Sequence, residues 1–163
     1  MTPLVARTAE STDFDFLVGS WDIHNRRRNY EGTWEEWQAT TTAAMHVDGF
    51  VQIDHYDAPE FPSRGHVKAV TIRAFDHETG EWSITWLANY SPPDFRPLVG
   101  RFEDGVGRFH QVIETSDGAP LHVDFVWDEI TESSARWQQF FSYDEGKTWE
   151  LNWFMTLTRR EDA

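Results

Sequence analysis

From Gly19 to Arg159, apolar and polar residues alternate with a period of two, interrupted by turn residues about every ten positions. A period of two places successive side chains on opposite faces of a strand, whereas an amphipathic helix needs 3.6. The pattern predicts ten strands, at about 20–28, 34–47, 50–57, 65–76, 81–89, 98–103, 108–114, 121–130, 135–143 and 149–159. Between them, Asp48-Gly49, His77 to Gly80, Asp104 to Gly107 and Asp117-Gly118 supply residues that tolerate positive φ, as hairpin turns require. Ahead of the strands, Ser11-Thr12-Asp13 is an N-cap-like cluster before Phe14, Phe16 and Leu17, which predicts one short helical turn. Residues 1–12 read as a flexible arm and 13–163 as a single domain. Ten hairpin-ordered strands in an open sheet would leave bare edges, and closure removes them, so the expected fold is an all-β, antiparallel barrel of about ten strands. The longest irregular stretch, 90–97, holds three prolines that cannot donate to a ladder, and is placed as a stiff loop rimming the barrel mouth.

Taking the more apolar face of each strand as interior points Trp21 and Ile23, Val51 and Ile53, Trp82, Ile84 and Trp86, and Leu121, Val123, Phe125 and Trp127 inward. The last strand contributes Leu151, Trp153, Met155 and Leu157. The second strand presents Trp37, Ala39, Thr41, Ala43 and Met45, so small side chains stand opposite large rings and leave room for a cavity. The same phase brings Asn25, Thr41, His55, Gln111 and Gln139 inside. Buried polar groups cost roughly 1–3 kcal/mol each without a partner, and several on one inner wall call for one another, for water or for a ligand.

Composition sharpens this picture. Hydrophobic residues make up 39% of 163 residues, yet aromatic ones reach 15% with nine Trp, so apolar surface is concentrated in a few large rings. Such rings fill a small barrel or line a pocket for a flat, greasy molecule. The formal charge of −14 repels phosphate backbones and anionic membrane surfaces, which argues against nucleic acid and membrane partners. No stretch reaches the roughly 18 apolar residues of a membrane helix, and residues 1–13 lack a signal-peptide core, so a cytoplasmic location is expected. The absence of cysteine closes thiol and iron–sulfur chemistry.

Seven histidines form no H-x-H or H-E-x-x-H pattern, so no metal and no cofactor is expected. His24, His66, His77, His110 and His122 fall on turns or outer faces, whereas His55 shares the Val51 and Ile53 face and is the candidate proton-transfer group. The basic run Arg26-Arg27-Arg28 has acidic neighbours at Glu31, Glu35 and Glu36 and reads as a solvated face. Ser142 to Trp149 fits the Asp-box pattern S-x-D-x-G-x-T-W, a hairpin whose Ser and Asp oxygens cap backbone N–H groups and whose Trp folds back on the core. One such box in so short a chain is structural, not the mark of a sialidase propeller.

Phe14-Asp15-Phe16-Leu17-Val18-Gly19-Ser20-Trp21, Phe75-Asp76-His77-Glu78-Thr79-Gly80-Glu81-Trp82 and the Asp-box end with Asn152 and Trp153 together resemble a family of bacterial calycin-like (lipocalin-like) barrel domains. Gly19-x-Trp21 is similar to the lipocalin G-x-W signature, which implies a Trp plugging the closed end beside an N-terminal turn. The nitrobindins have a related ten-stranded barrel, but Ile23 and Asn25 stand where their G-x-W-x-G-x-G motif has glycines, which argues against haem. The stretch Asn29 to Trp37 faintly resembles the early hairpin of the phenolic acid decarboxylases, without their catalytic set.

The expectation is therefore a barrel that binds a small, largely apolar, ring-containing molecule. Trp21, Trp37, Trp86, Phe125 and Trp153 would provide contact area, while Asn25, Thr41, Arg73, Gln111 and Gln139 would orient the ligand. The alternative is a cofactor-independent isomerase, cyclase or decarboxylase working through His55 as acid or base, with Arg73 holding an anionic oxygen. Assembly is left open, a homodimer being the candidate oligomer.

Overall fold

The structure, a computed structural model, describes residues 5–161. The alternating segments become β1 (Gly19–Arg28), β2 (Trp34–His46), β3 (Val51–Phe61), β4 (Gly65–Asp76), β5 (Glu81–Ala88), β6 (Leu98–Glu103), β7 (Val106–Glu114), β8 (Pro120–Asp128), β9 (Ser134–Ser142) and β10 (Glu150–Arg159). Each strand pairs antiparallel with its sequence neighbour, and β10 returns to β1, so the sheet closes into a ten-stranded barrel. β3 runs further than its alternation suggested, because a register irregularity between Ala58 and Phe61 accommodates Pro59 within the ladder.

This up-and-down order sends the connections 29–33, 62–64, 89–97, 115–119 and 143–149 to one end and the remaining hairpins to the other. The second end is plugged. Two short 3-10 turns, Glu10–Thr12 and Asp15–Leu17, replace the single helical turn expected there. Between them Phe14 is wholly buried and meets Trp82 and Phe102 edge to face, each with ring centroids 5.0 Å apart. The carbonyls that such short turns leave unpaired are taken up by side chains. Trp21 Nε1 donates to Leu17 O at 2.9 Å, and Arg159 donates to Val18 O and Phe16 O at 2.6 and 2.5 Å while its guanidinium lies 4.2 Å from the Trp21 ring. The part of the N-terminal arm that is described is tied down. Ser11 is buried, and Arg7 donates to Ser11 O and Asp15 Oδ1. Residues 1–4 lie outside the described residues.

The inward faces of β1, β2, β5 and β8 are those the alternation indicated, and so is that of β10 from Trp153 onward. Before it, a register irregularity between Leu151 and Trp153 takes Leu151 off the cavity wall and puts Asn152 there instead. β3 is inverted. Gln52, Asp54, Tyr56 and Ala58 point in and are buried, while His55 is exposed on the outer face between half-buried Ile53 and Asp57. The apolar-face rule fails on this strand because its inner positions serve a charge. Arg73, inward on β4 and directly opposite Gln52, donates from Nη1 to Gln52 Oε1 at 3.1 Å and Asp54 Oδ2 at 2.9 Å. Gln52 Nε2 in turn donates to Phe14 O at 2.7 Å, joining this cluster to the plug.

The barrel has one thin seam. β6 pairs with β5 only at Trp82, Ser83 and Ile84, and beyond Ile84 the 89–97 loop takes the place of a strand. That loop is hung on neighbours by Thr85, whose hydroxyl donates to Phe95 O at 3.3 Å, and by Gln111, whose amide donates to Arg96 O at 3.0 Å.

Candidate functional site: the barrel lumen

A cavity of about 930 Å³ runs from Leu17 and Trp127 at the plug to the turns at the open end. Three zones of different chemistry follow one another along it.

The floor is polar and charged. Arg73 and Asp54 form an ion pair with almost no solvent exposure, and Asp54 Oδ1 also accepts the Thr71 N–H at 3.2 Å. The guanidinium carbon stands 5.1 Å from the Phe14 ring centroid and 5.6 Å from that of Trp127. Two buried atoms of this inner wall, Thr41 Oγ1 and Arg73 Nε, have no hydrogen-bond partner among the described residues.

The middle is aromatic. Trp137 meets Trp153 edge to face at 5.3 Å and Phe125 at 4.9 Å, and Tyr56 meets Trp86 at 5.1 Å. Behind these rings lies a closed polar relay. Trp37 Nε1 donates to Tyr56 Oη at 2.9 Å, and Tyr56 Oη donates to Asn25 Oδ1 at 3.0 Å. The same Asn25 oxygen accepts Trp153 Nε1 at 3.3 Å. Burial pushes the Tyr56 hydroxyl well above its ordinary pKa, so it stays protonated and holds this relay in place.

The mouth carries cations among rings. Arg27, the last inward residue of β1, lies 4.7 Å from the Phe61 ring centroid and 5.5 Å from that of Trp153. Arg64, on the β3–β4 turn, lies 4.0 Å from the Tyr90 ring centroid and 6.0 Å from that of Phe61. Burial, and next the Arg64 charge, lower the Arg27 pKa. Exposed Tyr30, Phe95 and Tyr143 stand on three of the turns around the opening.

Of the site residues expected from sequence, Thr41, Arg73, Trp86, Gln111, Phe125, Gln139 and Trp153 come together on the cavity wall. Three do not line it. Trp21 is sealed in the plug, whereas Asn25 and Trp37 sit in the relay behind the rings, because their polar atoms are consumed by neighbouring side chains. Gln139 donates to Asn152 Oδ1 at 3.0 Å and Gln111 holds the 89–97 loop, so both are partly engaged by the protein itself. His55 lies outside the barrel, which removes it from the lumen. The inverted phase of β3 also hides Asp54 and Tyr56 from a sequence reading. Reading the basic run as one solvated face misses Arg27, which extending the inward series Trp21, Ile23, Asn25 by one step finds.

Outside the lumen, the Asp-box segment is the local hairpin its pattern implies. Asp144 accepts from Ser142 Oγ, Thr148 N and Thr148 Oγ1, and these bonds, the Thr148 hydroxyl first, hold its carboxyl at about 2. Its Trp149, however, does not fold onto the core. It packs on the outer face against His110 and His122, with ring centroids 6.2 and 6.5 Å away. No group of three or more His, Asp or Glu residues suited to a metal ion occurs among the described residues. No helix among them is long and apolar enough to cross a membrane.

No protein-family profile matches this chain, and no curated protein sequence does. Solved structures do share its architecture. The S-type phycobiliprotein lyase CPES from Guillardia theta is 12% identical and superposes with a TM-score of 0.64, covering 96% of this chain and 100% of that one. Rv2717c from M. tuberculosis is 10% identical, with a TM-score of 0.64 over 96% of this chain and 100% of its own. At such identities the likeness concerns the barrel, and the chemistry has to come from this chain's own lumen.

Proposed function

We propose that the protein binds a small, largely apolar, ring-containing molecule inside its barrel, as a member of the bacterial calycin-like family that its Phe14–Trp21 and Ser142–Trp149 segments resemble. The observation that carries this reading is the lumen: about 930 Å³, sealed at one end and walled by aromatic rings. That volume lies within the roughly 300–1,000 Å³ range of ligand pockets. Thr41 Oγ1 and Arg73 Nε, buried without partners, give such a ligand polar points to meet at the floor. The proton-transfer alternative rested on His55, which lies on the outer face, and no histidine lines the cavity among the described residues. Binding is therefore the reading the geometry supports best.

Titration with N-phenyl-1-naphthylamine, a neutral probe with an apolar ring body, tests it. One equivalent should bind with enhanced probe emission and quenching of tryptophan. Val123→Phe, which pushes a ring into the lumen from β8, should weaken binding at least about tenfold. A probe that stays dark, or that binds the filled variant equally well, would overturn the proposal.

A further inference from the structure

The whole chain carries a charge of −14, yet the residues lining the lumen include five arginines and four acids. The wall is thus a cationic exception in an acidic molecule, and its charges are unevenly matched. Arg73 is paired with Asp54, and Arg96 with Asp94. Arg27 and Arg64 make no ion pair within 4.0 Å among the described residues, although Glu35 lies near enough to bear on the Arg27 charge. Arg27 is half-buried, and desolvating a cation without an anion is costly.

Aromatic stacking is what holds the two guanidiniums at the mouth. The single Phe61 ring lies under both, Tyr90 lies under Arg64, and Trp153 and Trp37 flank Arg27 at 5.5 and 5.6 Å. Stacking uses the flat face of a guanidinium and leaves its edge, where all five N–H donors lie, free for a planar or tetrahedral oxyanion. Two like charges gathered over one ring, beside an aromatic lumen, form a receptor for an acid group attached to a ring body.

Resting on the binding reading above, we infer that the ligand is an amphipathic organic anion, its rings inside the barrel and its carboxylate, sulfonate or phosphate at the mouth between Arg27 and Arg64. The floor contacts at Thr41 and Arg73 then meet the far end of the molecule.

Two probes with one skeleton test this. 8-Anilino-1-naphthalenesulfonate is N-phenyl-1-naphthylamine with an added sulfonate. The sulfonate probe should bind the native protein more tightly than the neutral one, and its affinity should fall as salt is raised. Arg27→Gln combined with Arg64→Gln should weaken the sulfonate probe by roughly tenfold or more, the size expected for losing charge-assisted hydrogen bonds, and leave the neutral probe within about twofold. Arg64 lies on an exposed turn, so Arg64→Gln alone serves if the double variant does not fold, with a loss of about threefold for the sulfonate probe only. Unchanged sulfonate binding, or equal loss of both probes, would overturn the inference while leaving the lumen as a binding site. Failure of both probes to bind the native protein would overturn the binding reading itself.

Discussion

Single residues decide which face of a strand is interior, and on β3 the deciding residue lies on another strand. Val51, Ile53 and His55 have the more apolar pattern, yet they face outward because Gln52 and Asp54 are needed opposite Arg73. A buried guanidinium without that company would cost more than the other phase could return by burying Val51 and Ile53. Nothing local to β3 announces this, whereas on β1 the Trp21, Ile23, Asn25 series leads directly to Arg27. The energetic consequence is an asymmetry between single and double substitutions. Arg73→Met strands the Asp54 carboxylate in the barrel floor and should destabilise the protein by about 3–5 kcal/mol. Adding Asp54→Leu should recover most of that loss, since two apolar groups need no partner. Urea unfolding of the native protein, both single variants and the double variant gives the coupling. Additive losses would mean that the pair does not hold the β3 phase.

At the scale of strands and turns, far more was legible, because ten alternating segments with turn residues between them leave few other arrangements. Closure, strand order and the position of the proline loop all follow from hairpin connectivity. The features that escaped are those set by contacts between distant elements. The 3-10 turns of the plug are fixed by Trp21 and Arg159, from opposite ends of the chain, and Trp149 is drawn outward by His110 and His122. The length of the β5–β6 seam is another such feature. Its three paired positions rest on Gly100, which sits between Trp82 and Phe109, and a Cβ there would fall 1.8 Å from Arg108 O. Backbone occupies that space and cannot swing aside, so Gly100→Ala should force β6 away from β7. A loss of about 1–3 kcal/mol is expected from such overpacking. Hydrogen exchange should quicken at Trp82 and Ile84, whose amides face β6, before it does in the ladder between β7 and β8. Protection at these amides equal to the native level would show that the seam does not depend on this close approach.

For the molecule as a whole, closure makes the lumen a property of all ten strands, since no segment encloses it alone. A ligand held there binds only the folded chain and must stabilise it by mass action, independently of which residues touch it. At a free concentration of N-phenyl-1-naphthylamine one hundred times its Kd, the added stability should be about 2.7 kcal/mol. For a chain of this size that corresponds to a rise of roughly 5–11 °C in Tm by calorimetry. The rise should grow with the logarithm of probe concentration. The urea slope should stay the same, because the surface exposed on unfolding is unchanged. The acidic exterior and the cationic mouth add a condition. The neutral probe should give this stabilisation at any ionic strength, whereas that from the sulfonate probe should shrink as salt screens Arg27 and Arg64. A probe whose fluorescence reports binding while Tm stays fixed would be attached to folded and unfolded chains alike. It would then lie outside the barrel, and the lumen would not be its site.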